Sequence, residues 1–256
     1  MTKPAPRSLS GLLTRRRLLA GAALGAALLA GAVPALAQQK KGPAAPAAAA
    51  ADAALDELMK PGPIPDLALG KADAPVTIVE YASMTCGHCA TFHNTVFPAL
   101  KEKYVDTGKV RLILREFPLD NLAAAASMLA RCAGGDKTYA LISTLFKDQD
   151  AWAFVKGNPV PALFKIAEAA GFTKESFDKC LTDQKLLDGI TGTRDRASKS
   201  FNITSTPTFF VNGKRLNGPS DQIETFDKAI EPLLGAKPAP AAAPATPAPA
   251  APAPKK

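Results

Sequence analysis

Two cysteines separated by two residues, in the segment Cys86-Gly87-His88-Cys89, are the side chains of this 256-residue chain best placed to do chemistry. Such a pair can cycle between dithiol and disulfide, hold a soft metal or anchor a haem. The flanking residues help to decide among these. The run Val76-Thr77-Ile78-Val79-Glu80-Tyr81 before it is rich in β-branched and aromatic residues and short enough for a buried strand. After it, Phe92, Val96, Phe97, Leu100 and Tyr104 recur at three- and four-residue steps and form one face of a helix. Cys86 therefore falls at a helix start, where unpaired backbone N–H groups and the positive end of the helix dipole favour a thiolate over a thiol. The thiolate is the nucleophilic form. Covalent haem needs a histidine directly after the second cysteine, and Ala90 stands there. Zinc would need two further thiolate or imidazole ligands from His88, His93, Cys132 and Cys180. No cofactor or metal is expected, and a purely structural disulfide is the alternative to a redox couple.

The N-terminus bears on the compartment. Residues 1–17 carry Lys3, Arg7, Arg15, Arg16 and Arg17 with no acid, and an Ala/Leu/Gly run follows from Leu18 and ends in Ala35-Leu36-Ala37, so residues 1–37 form one unit. This is the pattern of a cleaved secretory signal. Thr14-Arg15-Arg16-Arg17-Leu18-Leu19 also resembles a twin-arginine export signal, and the two routes stay open. Without the signal the chain has no stretch near the ~20 apolar residues of a crossing helix, and an exported, periplasmic protein is expected. Removing the signal also changes the charge. The whole chain is +8, but 26 basic and 23 acidic residues remain after residue 37, or +3. With no basic stripe interleaved with aromatics, no nucleic-acid partner is expected.

Residues 38–65 read as an Ala/Pro-rich linker and residues 237–256 as a disordered Ala/Pro tail, because such composition cannot bury a core. Asp52 to Lys60 could form two helical turns before Pro61, Pro63 and Pro65 end them, too little for a dimerisation domain. About 170 residues from Asp66 to Leu234 are left, enough for one well-cored domain. Within it, Val110 to Glu116 reads as a second strand, giving a parallel βαβ unit with the first strand and its helix. Residues 122–202 show only helical patterns, over Ala123 to Ala133, Thr138 to Lys147, Pro161 to Ala170, Lys174 to Leu181 and Leu186 to Phe201. Thr208-Phe209-Phe210-Val211 and Lys214-Arg215-Leu216 flank Asn212-Gly213, a strong hairpin signal. A last helix opens near Ser220 and buries Ile223, Phe226, Ile230 and Leu233.

The order strand, C-x-x-C at a helix start, strand, helical block, Ser205-Thr206-Pro207-Thr208, hairpin and helix resembles the DsbA-like branch of the thioredoxin superfamily. The resemblance implies an α/β thioredoxin fold, formed by residues 66–121 and 203–236, with a helical insertion at 122–202. It implies Cys86 as nucleophile, Cys89 as resolving cysteine and Pro207 as a cis-proline facing them. It implies also that Thr206 pairs with substrate through its backbone and tunes the thiols through its side chain. Family members have a buried acid in the position of Glu80 that takes part in proton transfer; a carboxylate at the edge of the core is the other reading. His88, if protonated, would stabilise the Cys86 thiolate, and Gly87 stands where proline is common in DsbA proteins. Arg115 reads as a solvated strand end, and His93 as a helix-surface residue without a role.

Cys132 and Cys180, 48 positions apart in the helical block, form an expected structural disulfide, with separate buried thiols as the alternative. The sequence thus points to an exported thiol:disulfide oxidoreductase, an oxidase that passes its Cys86–Cys89 disulfide to thiol-containing exported proteins. A DsbB-like membrane partner would reoxidise it, by resemblance alone. A reductase or isomerase using the same residues stays open, since Cys-Gly-His-Cys is also the motif of protein disulfide isomerases, as does a non-catalytic binding or chaperone module with structural cysteines.

Overall fold

A computed structural model describes residues 55–235. The signal, the first part of the expected linker and the C-terminal tail lie outside them. Five strands form one sheet in the order β1-β3-β2-β4-β5, where β1 is Leu67–Leu69, β2 Val76–Ala82, β3 Val110–Glu116, β4 Thr208–Val211 and β5 Lys214–Arg215. β2 and β3 are parallel, with Ile78 opposite Leu112 and Glu80 opposite Leu114; the other pairings are antiparallel. Every residue of β2 and β3 is buried. That explains why they read as continuous rather than alternating apolar runs, since both faces of the central pair are covered.

Alternation along the strands sorts side chains to two faces. Val76, Ile78, Val110, Leu112, Phe209 and Val211 pack with Phe92, Val96, Phe97, Leu100 and Tyr104 of the helix over residues 87–105, and with Phe226 and Ile230 of the last helix. Val79, Tyr81, Ile113 and Phe210 pack on the opposite face with Ala197 and Ile203. The helix over 87–105 is not uniform. Its turns at Phe92–Val96 and Lys101–Val105 widen to i→i+5 bonding, with Phe97 N–H on Phe92 O. Pro98 lies between these turns and supplies no N–H for an i→i−4 bond, which accounts for a local departure from regular α geometry.

The helical insertion comprises Asn121–Ala133, Lys137–Lys147, the short Gln149–Trp152, Val160–Ala169, Lys174–Leu181 and Gln184–Phe201. Its ends are set by short polar residues. Asp120 accepts from Ala123 N–H at 2.7 Å, Thr173 and Ser176 form a capping box, and Asp183 accepts from Leu186 N–H at 3.0 Å. Asn202 closes the last of these helices in the left-handed region, at φ 50°. Cys132 and Cys180 are joined by a disulfide across the insertion. Asn212 and Gly213 both take positive φ, 43° and 78°, as the tight hairpin between β4 and β5 requires.

Several expectations are corrected. Residues 55–65 do not behave as a spacer. Residues 55–59 are helical, and Leu55, Leu58 and Met59 are buried against Val79, Tyr81 and Ile113. Three arginines hold the backbone of this segment: Arg115 donates to Leu58 O at 2.7 Å, Arg131 to Pro65 O at 2.9 Å, and Arg196 to Glu57 O and Lys60 O at 2.6 and 2.8 Å. Arg115 is thus no solvated strand end. It is 3% exposed, on the sheet face away from the helix over 87–105, and grips Asp66 through two bonds of 2.7 and 2.9 Å. β1 was missing from the sequence reading, and the last helix begins at Ile223 without a side-chain cap, Ser220 lying in the preceding turn.

Two glycines of Gln184–Phe201 let the 55–65 segment approach. A Cβ at Gly192 would stand 3.1 Å from Pro63 Cγ, and one at Gly189 would run into Ile64 Cγ2. Gly189→Ala is expected to lower stability by about 1–3 kcal/mol through overpacking, against its small gain in helix propensity; a melting temperature at or above wild type would contradict this packing. For the disulfide, loop closure over 48 residues gives roughly 4 kcal/mol. Replacing both Cys132 and Cys180 by serine should therefore lower the denaturation midpoint clearly, and an unchanged midpoint would show that the bridge does not stabilise the insertion.

Candidate functional site

The chain leaves β2 and turns through Ser83, Met84 and Thr85, and Cys86 then caps the helix over 87–105 from an extended backbone at φ −88°, ψ 116°. Its sulfur takes the place that a serine or aspartate oxygen fills in most helix caps, accepting the backbone N–H of Cys89 at 3.4 Å. Across the site, Cys86 Sγ lies 3.3 Å from the carbonyl oxygen of Thr206, which the thiol donates to. The Thr206–Pro207 peptide bond is cis. The structure thus brings Cys86, Cys89 and the Thr206-Pro207 turn together although Cys86 and Thr206 are 120 residues apart.

The two thiols differ in environment. Cys86 is lowered from the ordinary cysteine range to about 5. The hydrogen bond from Cys89 contributes most, and Thr206 and the backbone N–H groups of Cys89 and His88 add to it against the opposing effect of burial. The Thr206 hydroxyl has no other hydrogen-bond partner, so it is free to serve the anion. Cys89 is fully buried, and burial first, then the bond to Cys86 and the nearby Glu80 carboxylate, push it well above the usual range. One sulfur is held ready as an anion and the other is held as a thiol.

His88 and Gly87 are exposed on the rim. His88 acts on Cys86 through its backbone N–H. A Cβ at Gly87 would meet nothing within 4 Å, so sterics do not demand glycine there. Glu80 is no edge carboxylate: it is 0% exposed, on the sheet face beneath the helix. There His93 Nε2 lies 3.1 Å from each of its oxygens, and the imidazole stacks on Phe146 with ring centroids 4.2 Å apart. The sequence reading of His93 as a surface residue is therefore wrong. A signal was present: Cys89, His93 and Phe97 follow at four-residue steps, the spacing of one helical stripe. No group of three or more potential metal ligands occurs among the described residues.

A fold with a thiol pair at a helix start, its first sulfur capping the helix, and a cis-proline across from it defines a thioredoxin-type site, and comparison with known proteins agrees. The family model described as Thioredoxin matches residues 64–232. Alpha-DsbA1 of Wolbachia pipientis is 34% identical, with 70% of this chain and 96% of that one covered at a TM-score of 0.64. A Rickettsia bellii protein whose name proposes a protein-disulfide oxidoreductase is 38% identical over 65% of this chain and 65% of its own. The chain therefore spans just under two thirds of the length of that curated relative. BdbD of Bacillus subtilis, at 22% identity and a TM-score of 0.57, shares the fold. The chain belongs to the thioredoxin family, in its DsbA-like branch.

The Cys86 asymmetry has a consequence for stability. Folding lowers its pKa to about 5, against about 8.5 for an unperturbed cysteine. The thiolate's contribution is then complete above about pH 8.5 and is lost as pH falls through about 5. The stability of reduced wild type relative to reduced Cys86→Ser is expected to rise between pH 5 and pH 8, followed by chemical denaturation at each pH. A constant difference would mean that the fold does not favour the anion.

Proposed function

We propose that this protein is an exported thiol:disulfide oxidase that passes the Cys86–Cys89 disulfide to thiol-containing proteins in the periplasm. The observation that carries the proposal is the asymmetry of the pair, with Cys86 at about 5 and Cys89 far above it. The N-terminal 37 residues, with five basic residues, an apolar run and Ala35-Leu36-Ala37, support export. No helix of the described residues is long and apolar enough to cross a membrane. The names of the Rickettsia and Wolbachia relatives support the reaction class.

In the oxidised protein a substrate thiolate attacks Cys86 Sγ. The Cys86–Cys89 bond breaks, a mixed disulfide forms, and Cys89 leaves with the electron pair. Cys89 is then protonated, and Glu80 with His93 beneath it is the buried pair positioned to hold that proton. A second substrate thiolate attacks the substrate sulfur of the mixed disulfide and expels Cys86 as its stabilised thiolate. The substrate has lost two electrons and two protons and gained a disulfide; the protein has gained the electrons. Low leaving-group pKa makes the second step fast and favourable. When the mixed disulfide stalls, Cys89 can attack Cys86 and release the substrate. Thr206 offers its backbone to the substrate chain beside Pro207. A membrane protein of the DsbB kind, linked to a quinone, would take the two electrons and restore the disulfide.

A single feature favours the reverse direction. Gly87 leaves the rim beside Cys86 open, and Cys-Gly-His-Cys also occurs in isomerases. The equilibrium of the Cys86/Cys89 couple with glutathione separates the directions. An oxidase is expected to fall at about −120 to −180 mV, and a value near −270 mV would assign a reductant. Failure of the oxidised protein to form disulfides in a reduced, unfolded multi-cysteine protein, under conditions where its own pair is intact, would remove the enzymatic reading altogether.

A further inference from the structure

Gln149 opens the short helix Gln149–Trp152 of the insertion, 63 residues from Cys86 in sequence, and is 4% exposed. Its side-chain amide donates to Met84 O at 2.8 Å and to Cys86 O at 3.1 Å. Both of its hydrogens are therefore spent on the backbone of the thiol loop. The Cys86 carbonyl is also the acceptor of the first bond of the thiol helix, from Ala90 N–H at 3.1 Å. Gln149 thus grips the carbonyl from which that helix starts.

The amide is fixed from its own side. Trp152, fully buried, donates its indole N–H to Leu145 O at 2.8 Å and pins the short helix to the insertion core. Two further bonds tie the loop to the start of the insertion. Thr85 Oγ1 donates to Asp120 at 2.7 Å, and Leu119 N–H donates to Ser83 Oγ at 3.3 Å. Among these contacts, Gln149 alone touches the cysteine that carries the chemistry.

We propose that Gln149 is a positioning residue for thiol exchange: by fixing the Cys86 carbonyl it holds the cap geometry that aims Cys86 Sγ at the Cys89 N–H, and thereby couples the packing of the helical insertion to the reactivity of the thiol. Its amide hydrogens also offset the negative ends of two carbonyls of the thiol loop, which would otherwise oppose an anion there. The titratable groups around this region include Cys89 and His88 on the thiol helix, Glu80 with His93 beneath it, Asp120 on Thr85, and Asp148 and Asp150 flanking Gln149 on its own element. All of them are left in place when Gln149 is changed. The proposal rests on Cys86 being a reactive thiolate, as argued above.

A glutamine that only satisfied two buried carbonyls would cost stability when removed but leave the thiol unchanged. The full-length reduced protein and its Gln149→Met variant, similar in size without the donors, separate the two. The pH profile of Cys86 alkylation by iodoacetamide is expected to move to higher pH in the variant. At pH values below the midpoint, its rate should fall about threefold, as a tenfold loss of thiolate is partly returned by higher nucleophilicity. A folded variant with an unchanged midpoint overturns the proposal, whatever its melting temperature. Should the variant not fold, the wild-type protein gives the answer by NMR: the Gln149 side-chain amide resonances are expected to follow the Cys86 titration, and a flat response overturns the coupling. A wild-type profile with the midpoint of an ordinary thiol would instead remove the reactive-thiolate reading itself, before Gln149 enters.

Discussion

A sulfur atom in a helix cap is the interaction on which the rest of this molecule depends. An oxygen in that position satisfies an orphan N–H and ends its task there. A sulfur accepting the Cys89 N–H at 3.4 Å gains more as an anion than as a thiol, so the cap favours the thiolate of Cys86. The elements around it can be read as conditions for that cap. β2 delivers the loop, the helix over 87–105 supplies its open N–H groups, and the Thr206-Pro207 turn sets the Thr206 hydroxyl toward the sulfur.

The same arrangement requires the second sulfur to stay neutral. Cys89 is buried under the insertion and stands above Glu80, whose charge opposes a second anion. Placing a carboxyl in a strand buried along its whole length is costly unless it is paired. His93 supplies the partner, and Phe146 of the insertion supplies the surface on which its ring stacks. The insertion therefore contributes on two levels, as the lid over Cys89 and as the wall behind the buried acid's partner.

How much of this was legible in the sequence varied with the range of the interactions. β2, β3 and the helices of the insertion follow from local periodicity, and β3 and Lys174–Leu181 match the sequence-derived bounds. Asn212-Gly213 encodes its hairpin because few other residues take two positive φ angles in succession. The thiol pair and the turn at Pro207 were visible as a motif order. What stayed hidden depended on partners far away in the chain. Arg115 could not be seen as buried without Asp66, nor the Pro-rich segment over 60–65 as packed without Arg131, Arg196, Gly189 and Gly192. β1 has only three half-buried residues, too few for a period to show. His93 carries a helical-stripe signal in its spacing, but its burial depends on Glu80 and Phe146, which lie on other elements of the chain.

The state of Cys86 in the reduced protein tests this account most directly. Thiolate absorbance of the reduced, full-length protein, titrated from acid upward with the Cys86→Ser protein as the blank, should rise by one thiolate with a midpoint near 5. The contribution of Cys89 should not appear until well above the ordinary cysteine range. Two thiols titrating together at about 8.5 would contradict it, because the cap would then favour neither sulfur.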